Sequence, residues 1–452
     1  MSNPPKTLRV GMLGCGVVGQ GVLRLLAKHT PDLRANGFEV QVGHIAVRDT
    51  AKAREHAGNA RITNEPMAVA TDPDIDILIE VMGGNTIAVE AGCAALSRGI
   101  PLVTANKSAL ARSLPRYLEA SAAGKAGIAF ESAVAAHIPI IEALDRSLAL
   151  EEISVIKGVI NGTTNYILTF MERAGCEYAE ALADAASKGY TEADPSLDVD
   201  GWDAAEKLCL LALKAFGVYA PPTQFPVTGI SRVTQADIAL ANELGHRIKL
   251  VASARRHGDN LAISVQPALA YRGELLGDVD SEFNAVILEG PSFRELSFLG
   301  KGAGQLPTAS AVLNDLLKIA RDPQYSALPG MKRAGSDALH VGGAAADSCW
   351  FLRVQVPPVE SWRVLEKAGK LGLNALNRAQ VVVGGVNYLG VITDIMPESR
   401  ILSLLPELQK ISGVQAPPAL LRLDKDNYRD IVEREQSAYF GTSLERKPGA
   451  GV

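Results

Sequence analysis

Leu8-Arg9-Val10-Gly11-Met12-Leu13 runs directly into Gly14-Cys15-Gly16-Val17-Val18-Gly19, and Val17 to Lys28 continues with amphipathic helical spacing. The order is apolar strand, glycine-cornered turn, helix. A lone GxGxxG string carries little weight, because glycine is frequent in loops; its flanks give it weight here. The first glycine permits the tight turn. The second lets backbone approach a pyrophosphate, and the third lets helix and strand pack closely. The helix start adds unpaired N–H groups and partial positive charge. The stretch predicts a dinucleotide loop contacted through Gly14, Gly16, Val17, Val18 and Gly19.

Working outward, Val40 to Val47, Asp76 to Val81, Pro101 to Thr104 and Gly127 to Glu131 read as further buried strands with helical stretches between them. Strands alternating with helices predict an α/β fold: an N-terminal Rossmann domain over 1–138, with a doubly wound parallel sheet. Ligands then bind along the edge formed by the strand C-termini. Three strand tips therefore become candidates. Val47-Arg48-Asp49 ends the second strand. Arg48 there fits a 2′-phosphate, which favours NADP; Asp49 could instead take a ribose hydroxyl, as in NAD sites, or pair with Lys52. Gly84, Asn85 and Thr86 follow the third tip, and Asn106-Lys107 the fourth. A lysine just past a strand end, inside a presumed site, is seldom there for packing.

From Pro139 the pattern changes to long Ala-rich helices and strand-like stretches, predicting an α+β domain over 139–321 that supplies the second wall of a cleft. Within it, a helix over 308–321 can return to the first domain. A Gly-, Pro- and Ser-rich stretch, 322–347, reads as a linker. Residues 348–425 then follow a βαββαβ order, which predicts a ferredoxin-like unit. The tail, 426–452, is polar and charged.

The bulk properties agree with several globular domains. The chain has 452 residues, 47% hydrophobic and 21% charged, with net charge −5. Without a basic run, neither nucleic acid nor an anionic membrane is expected as partner. Five scattered cysteines, none in a CxxC pair, predict reduced thiols rather than a disulfide framework or zinc site. Neither a leader-like N-terminus nor an 18-residue apolar run is visible, which predicts a cytoplasmic location.

Four further strings point to one family: Val103-Thr104-Ala105-Asn106-Lys107; Asn161-Gly162-Thr163-Thr164-Asn165-Tyr166; Gly189-Tyr190-Thr191-Glu192-Ala193-Asp194-Pro195 running on to Asp203 and Lys207; and Gly302-Ala303-Gly304-Gln305-Leu306-Pro307-Thr308. Together with the N-terminal loop, residues 8–320 resemble homoserine dehydrogenase, and the C-terminal unit resembles the ACT module of longer bacterial members. The resemblance implies reversible NAD(P)-dependent interconversion of L-homoserine and L-aspartate 4-semialdehyde, on the route to threonine and methionine. It also implies that 139–321 is the catalytic and dimerisation domain, in a homodimer or homotetramer, with Gly304 at the cofactor.

The residues suit that chemistry. An amino-acid substrate needs acids for its ammonium and a proton donor at its reacting oxygen. Glu192, Asp194, Asp198, Asp200 and Asp203 precede Lys207, and Asp203 and Lys207 share a helix face. An isolated acid–lysine pair at that spacing is usually a solvated salt bridge; the strings around it favour a site. Lys207 is expected to deliver the proton, and Lys107 to orient substrate and steady the developing oxyanion. Glu192 and Asp203 are expected to hold the substrate's amino group and hydroxyl. Partial burial and a second ammonium nearby are expected to lower the lysine pKa.

Two segments depart from the family pattern. The resemblance implies a sodium ion held by Glu131 and the backbone oxygens of Val134, Ala136 and Ile138, but Ala136-His137 stand where the family has Gly-Gly. The C-terminal unit lacks an Asp-x-Pro-Gly-like turn at Val356-Pro357-Pro358-Val359, so amino-acid regulation and a purely assembly role both stay open. Competing readings are another Rossmann-type NADP oxidoreductase and a sensor without turnover. An aspartate-semialdehyde dehydrogenase would need a nucleophilic cysteine in an active-site turn, and none is evident.

Overall fold

The structure, a computed structural model, describes residues 4–51, 57–192, 194–326, 340–342 and 347–424. The tail, most of the predicted linker, and Lys52 and Ala193 lie outside them.

Six strands form the first sheet: β1 (Lys6–Leu13), β2 (Phe38–Ala46), β3 (Arg61–Thr63), β4 (Ile77–Glu80), β5 (Leu102–Thr104) and β6 (Ile128–Ala129). All pairings are parallel, in the order β3-β2-β1-β4-β5-β6. This is the doubly wound order, which reverses beside β1. Burial on both faces explains the continuous apolar runs. Val10, Met12 and Ile79 pack to one side with Val22, while Leu13, Leu78 and Leu102 pack to the other. The longer helices on this sheet are α1 (Val17–Lys28), α2 (Thr86–Ser97) and α3 (Lys107–Gly124). The later helix Gln305–Arg321 joins them, burying Ala309, Val312, Leu316 and Ile319 in the same core as Val10.

The second sheet is built on β7 (Val155–Val159), β8 (His246–His257), β9 (Asn260–Tyr271), β10 (Phe283–Gly290) and β11 (Arg294–Lys301), antiparallel in the order β11-β10-β7-β8-β9. With it go α4 (Gly162–Ala174), α5 (Tyr178–Ser187), α6 (Trp202–Phe216) and α7 (Gln235–Glu243); Gln305–Arg321 is α8. Gly175, with φ +66°, closes α4 and separates it from α5. A single helical turn, Ile140–Glu142, runs into a π-turn over Ala143–Ser147.

The C-terminal unit runs β13 (Trp350–Gln355), α9 (Ser361–Lys370), β14 (Ala375–Val383), β15 (Val386–Thr393), α10 (Glu398–Gln409) and β16 (Ala419–Leu423). Its strand order, β16-β13-β15-β14, is ferredoxin-like. Its sheet is not a separate one. β16 pairs in parallel with β9 through Arg422–Ala268 and Leu423–Leu269, and a short β12 (His340–Gly342) also joins β9. The two parts thus share one ten-stranded sheet. Just past β16, Asp424 lies 3.2 Å from the buried ammonium of Lys157 on β7. Among the described residues, no helix is long and apolar enough to cross a membrane.

Candidate active site

The first glycine turn opens a cleft of about 800 Å³, lined by Gly14, Gly16, Arg48, Asp49 and Gly84 among others. Each glycine has a distinct reason. Gly14 has φ +102°, and a Cβ there would lie 2.8 Å from the Val81 carbonyl oxygen. A Cβ on Gly19 would lie 2.6 Å from the Gly14 oxygen, so the helix meets the loop only without one. Around Gly16 nothing lies within 4 Å: that side is open to the cleft. Val17 begins α1 and is 68% exposed, with Val18 partly buried behind it. The donor set suits a dinucleotide phosphate: an open glycine, then a helix start.

Arg48 is exposed on the cleft wall, whereas the Asp49 carboxylate accepts the Ala51 N–H at 3.1 Å. At the opposite lip, Asn106 donates to the carbonyls of Gly84 (2.8 Å) and Met82 (3.3 Å), and accepts the Ala109 N–H (3.1 Å) as cap of α3. One side chain therefore fixes both the glycine lip and the start of the helix that Lys107 opens. Beneath it, the buried Glu80 accepts from Thr104 Oγ1 at 2.7 Å; burial pushes this carboxyl up to about 7. Asn85 and Thr86 begin α2 without lining the cleft. Gly304 caps α8 with φ +130°, and its neighbour Gln305 donates to the Val17 carbonyl at 3.0 Å, which brings that string to the start of α1.

Lys107 and Lys207, a hundred positions apart, converge on one carboxylate. Asp203 Oδ1 lies 3.1 Å from Lys107 Nζ and Oδ2 lies 2.8 Å from Lys207 Nζ. Lys207 also donates to the Ile160 carbonyl at 2.8 Å, where β7 ends. The next residue, Asn161, caps α4 and donates to Asp203 (2.9 Å) and Asp198 (2.6 Å). Thr163 donates to the Tyr190 carbonyl at 2.9 Å, and the rings of Tyr166 and Tyr190 stack at 4.3 Å. The strings around 103, 161 and 190–207 thus meet in space.

The charges decide the electrostatics. Burial alone pushes the Asp203 carboxyl up, but the ammonium groups of Lys207 and Lys107 overcome it and hold it well below the usual range. In return Asp203 holds the Lys107 ammonium above the ordinary lysine value, against its own burial. For Lys107 this reverses the expected lowering: a carboxylate stands between the two ammonium groups, and its attraction exceeds their mutual repulsion. Burial, then the nearby Asp203 charge, raises the Asp198 carboxyl.

Glu192 is exposed and makes no hydrogen bond or ion pair among the described residues. The sequence pointed to Lys107, Asp203 and Lys207 but passed over Asn161 and Asn106. The local signal for both is a helix cap, Asn followed by helical residues, which says nothing of long-range partners.

Glu131 is buried, its two oxygens accepting the N–H groups of Ile141 and Glu142 at 2.8 Å each, with Lys318 Nζ 3.6 Å away. Ala136 adopts φ +50°. Among the described residues, no three His, Cys, Asp or Glu side chains group as metal ligands, and none of the five cysteines forms a disulfide.

A glycine-cornered cleft at the switch point of a parallel sheet, beside two lysines joined by a carboxylate, defines a Rossmann-type oxidoreductase. Residues 14–131 match the family model for the homoserine dehydrogenase NAD binding domain, and 139–317 the one for homoserine dehydrogenase. The chain belongs to the homoserine dehydrogenase family. A homoserine dehydrogenase of Pseudomonas aeruginosa is 33% identical over 437 residues, covering 93% of this chain and all of that protein. One of Corynebacterium glutamicum is 38% identical over 325 residues, 71% of this chain and 73% of its own length. The crystal structure of a homoserine dehydrogenase from Thiobacillus denitrificans superposes with a TM-score of 0.86 at 32% identity, covering 93% of this chain and 99% of that one. A hyperthermophilic archaeal homoserine dehydrogenase in complex with NADPH gives 0.61 at 29% identity, covering 70% and 98%.

Proposed function

We propose that this dehydrogenase interconverts L-homoserine and L-aspartate 4-semialdehyde with Lys207 as proton donor, Lys107 as oxyanion stabiliser and Asp203 as their shared partner. The carrying observation is the Lys107–Asp203–Lys207 bridge. When bound, NADPH supplies a hydride from C4 of its nicotinamide to the aldehyde carbon. As the oxygen becomes alkoxide-like, the Lys207 ammonium gives it a proton. An alkoxide is a far stronger base than an amine, so this transfer runs downhill. Lys107, kept protonated by Asp203, offers a second positive charge to that oxygen. For oxidation, Lys207 takes the hydroxyl proton and must first lose its own, which alkaline conditions favour. Asp203 and Asp198 offer acceptors for the substrate ammonium, and Glu192 reaches the substrate only if its loop folds inward.

NADP is the favoured cofactor, because Arg48 on the cleft wall offers a guanidinium to a 2′-phosphate, while an oxygen of the neighbouring Asp49 already accepts the Ala51 N–H. The Gly14–Gly19 loop and the α1 start would hold the pyrophosphate, with Gly84 and Gly304 as further cofactor contacts. Asn85 and Thr86 contribute through the start of α2.

A sodium ion held by Glu131 and the carbonyls of Val134, Ala136 and Ile138 would be structural. In support, Ala136 keeps the left-handed φ that a glycine would favour, despite the strain for a residue with a Cβ. A thermal midpoint that falls when sodium is exchanged for tetramethylammonium at constant ionic strength supports the ion; an unchanged midpoint removes it. A cytoplasmic homo-oligomer and a C-terminal unit that serves assembly complete the reading.

The test is NADPH absorbance in a mixture of protein, NADP and L-homoserine at alkaline pH. Steady formation is expected, and folded protein that binds NADP without turnover would instead identify a sensor.

A further inference from the structure

Lys107 opens α3, but α3 is not one rigid rod. Ser113 leaves helical geometry (φ −130°, ψ 22°) and Pro115 follows it. Proline lacks the N–H that would bond the carbonyl four residues earlier, so the Ala111 carbonyl loses its helical partner. Tyr219, from beyond α6, takes that carbonyl instead at 2.8 Å. The segment Lys107–Arg112 is therefore a short helical piece set off by a kink, and its orientation depends on what holds it from outside.

Glu206 is what holds it. Its side chain is 2% exposed, on α6 one turn after Asp203 and immediately before Lys207. One carboxylate oxygen accepts from Ser108 Oγ and the other from Arg112 Nε at 3.0 Å. Ser108 follows Lys107 directly, so the neighbour of one lysine is bonded to the neighbour of the other. Asp203 also bridges α6 to Lys107, but substrate would compete for that carboxylate. Glu206 is bonded to Ser108 and Arg112 rather than to either lysine, so its bonds survive such competition.

We infer that Glu206 is a positioning residue that holds the kinked start of α3 against α6 and so sets the distance between Lys107 and Lys207 during turnover. The inference rests on the two-lysine reading above. Small misplacements of catalytic groups can cost about 100-fold in rate.

The test compares Glu206→Ala and Glu206→Gln with the native enzyme in kcat, in KM for each substrate and in the pH profile of aldehyde reduction. Glu206→Ala is expected to lose about 10- to 100-fold in kcat with KM for NADPH within about twofold. Glu206→Gln keeps an acceptor for Ser108 and is expected to recover part of the loss. Its alkaline limb moves to lower pH, because Glu206 is among the carboxylates that raise Lys107. Native kcat in folded Glu206→Ala, or equal losses in kcat and cofactor affinity, would overturn the inference. Should the alanine variant not fold, Glu206→Gln with native kcat and an unmoved alkaline limb overturns it alone. Failure of the underlying reading is distinguishable: Lys207→Met would then turn over normally, whatever Glu206 does.

Discussion

Asp203 sits between two ammonium groups, 3.1 Å from Lys107 and 2.8 Å from Lys207, and binds the first domain to the second. Like charges this close would repel without it. Asp203→Asn keeps the shape and removes the charge, so Lys107 loses the attraction that favours its protonated form. The raised Lys107 pKa then falls. Steady-state kinetics should show kcat for aldehyde reduction down by at least about 100-fold, the cost typical of losing a charged transition-state partner. The alkaline limb of the residual rate should move to lower pH. An unmoved limb would contradict this electrostatic account.

Gly16 and Gly19 separate cofactor binding from folding. Nothing lies within 4 Å of a Cβ at Gly16, so Gly16→Ala should leave the thermal midpoint within about 2 °C while weakening NADP binding about tenfold or more, since a methyl would stand where the pyrophosphate approaches. Gly19→Ala meets the Gly14 carbonyl at 2.6 Å and should cost about 1–3 kcal/mol of stability. Calorimetry and fluorescence titration of each variant read the two effects apart.

Arg48 should decide between the two dinucleotides. Arg48→Ala is expected to raise KM for NADP about 10- to 100-fold, the worth of a charge-assisted phosphate contact, and to leave KM for NAD within about threefold. Equal changes for both cofactors would assign Arg48 to the solvated turn.

His246 gives a pH test of the second domain. It is 1% exposed, its Nδ1 lies 2.7 Å from the Leu244 carbonyl, and burial lowers its pKa from 6.5 to about 4. The unfolded chain therefore binds more protons between about pH 4 and 6.5, so stability rises with pH across that window. The contribution is complete above pH 6.5 and lost as pH falls to 4, by about 3 kcal/mol. Denaturant titrations should show His246→Gln losing that much less than the native chain between pH 6.5 and 4. Parallel losses would place the acid sensitivity elsewhere.

The first sheet was legible because parallel strands buried on both faces read as unbroken apolar runs, and β1, β4 and β5 do. β3 stands at the sheet edge, where Arg61 is exposed and Ile62 and Thr63 only partly buried, so no apolar run marks it. β8 was missed for a different reason. Lys249 interrupts its run with a charge, yet that side chain is 1% exposed, bonded to Asn165 Oδ1 at 2.8 Å and to the Val279 carbonyl at 2.6 Å. A buried cation with distant partners looks, in sequence, like a solvated one. The same limit applied to the site. Lys207 and Asp203 were linked by helical spacing, but Asn161 reaches Asp203 across 42 positions and Glu206 reaches Ser108 across 98. The joining of β16 to β9 was hidden likewise, since an edge strand's partner is set by the fold.

The most direct measurement is single-turnover aldehyde reduction by Lys207→Met with NADPH already bound. If the Lys207 ammonium supplies the proton, NADPH should bind with native affinity while the chemical step slows by about 100-fold or more. A chemical step at the native rate, or a loss of NADPH affinity matching the loss of rate, would contradict it.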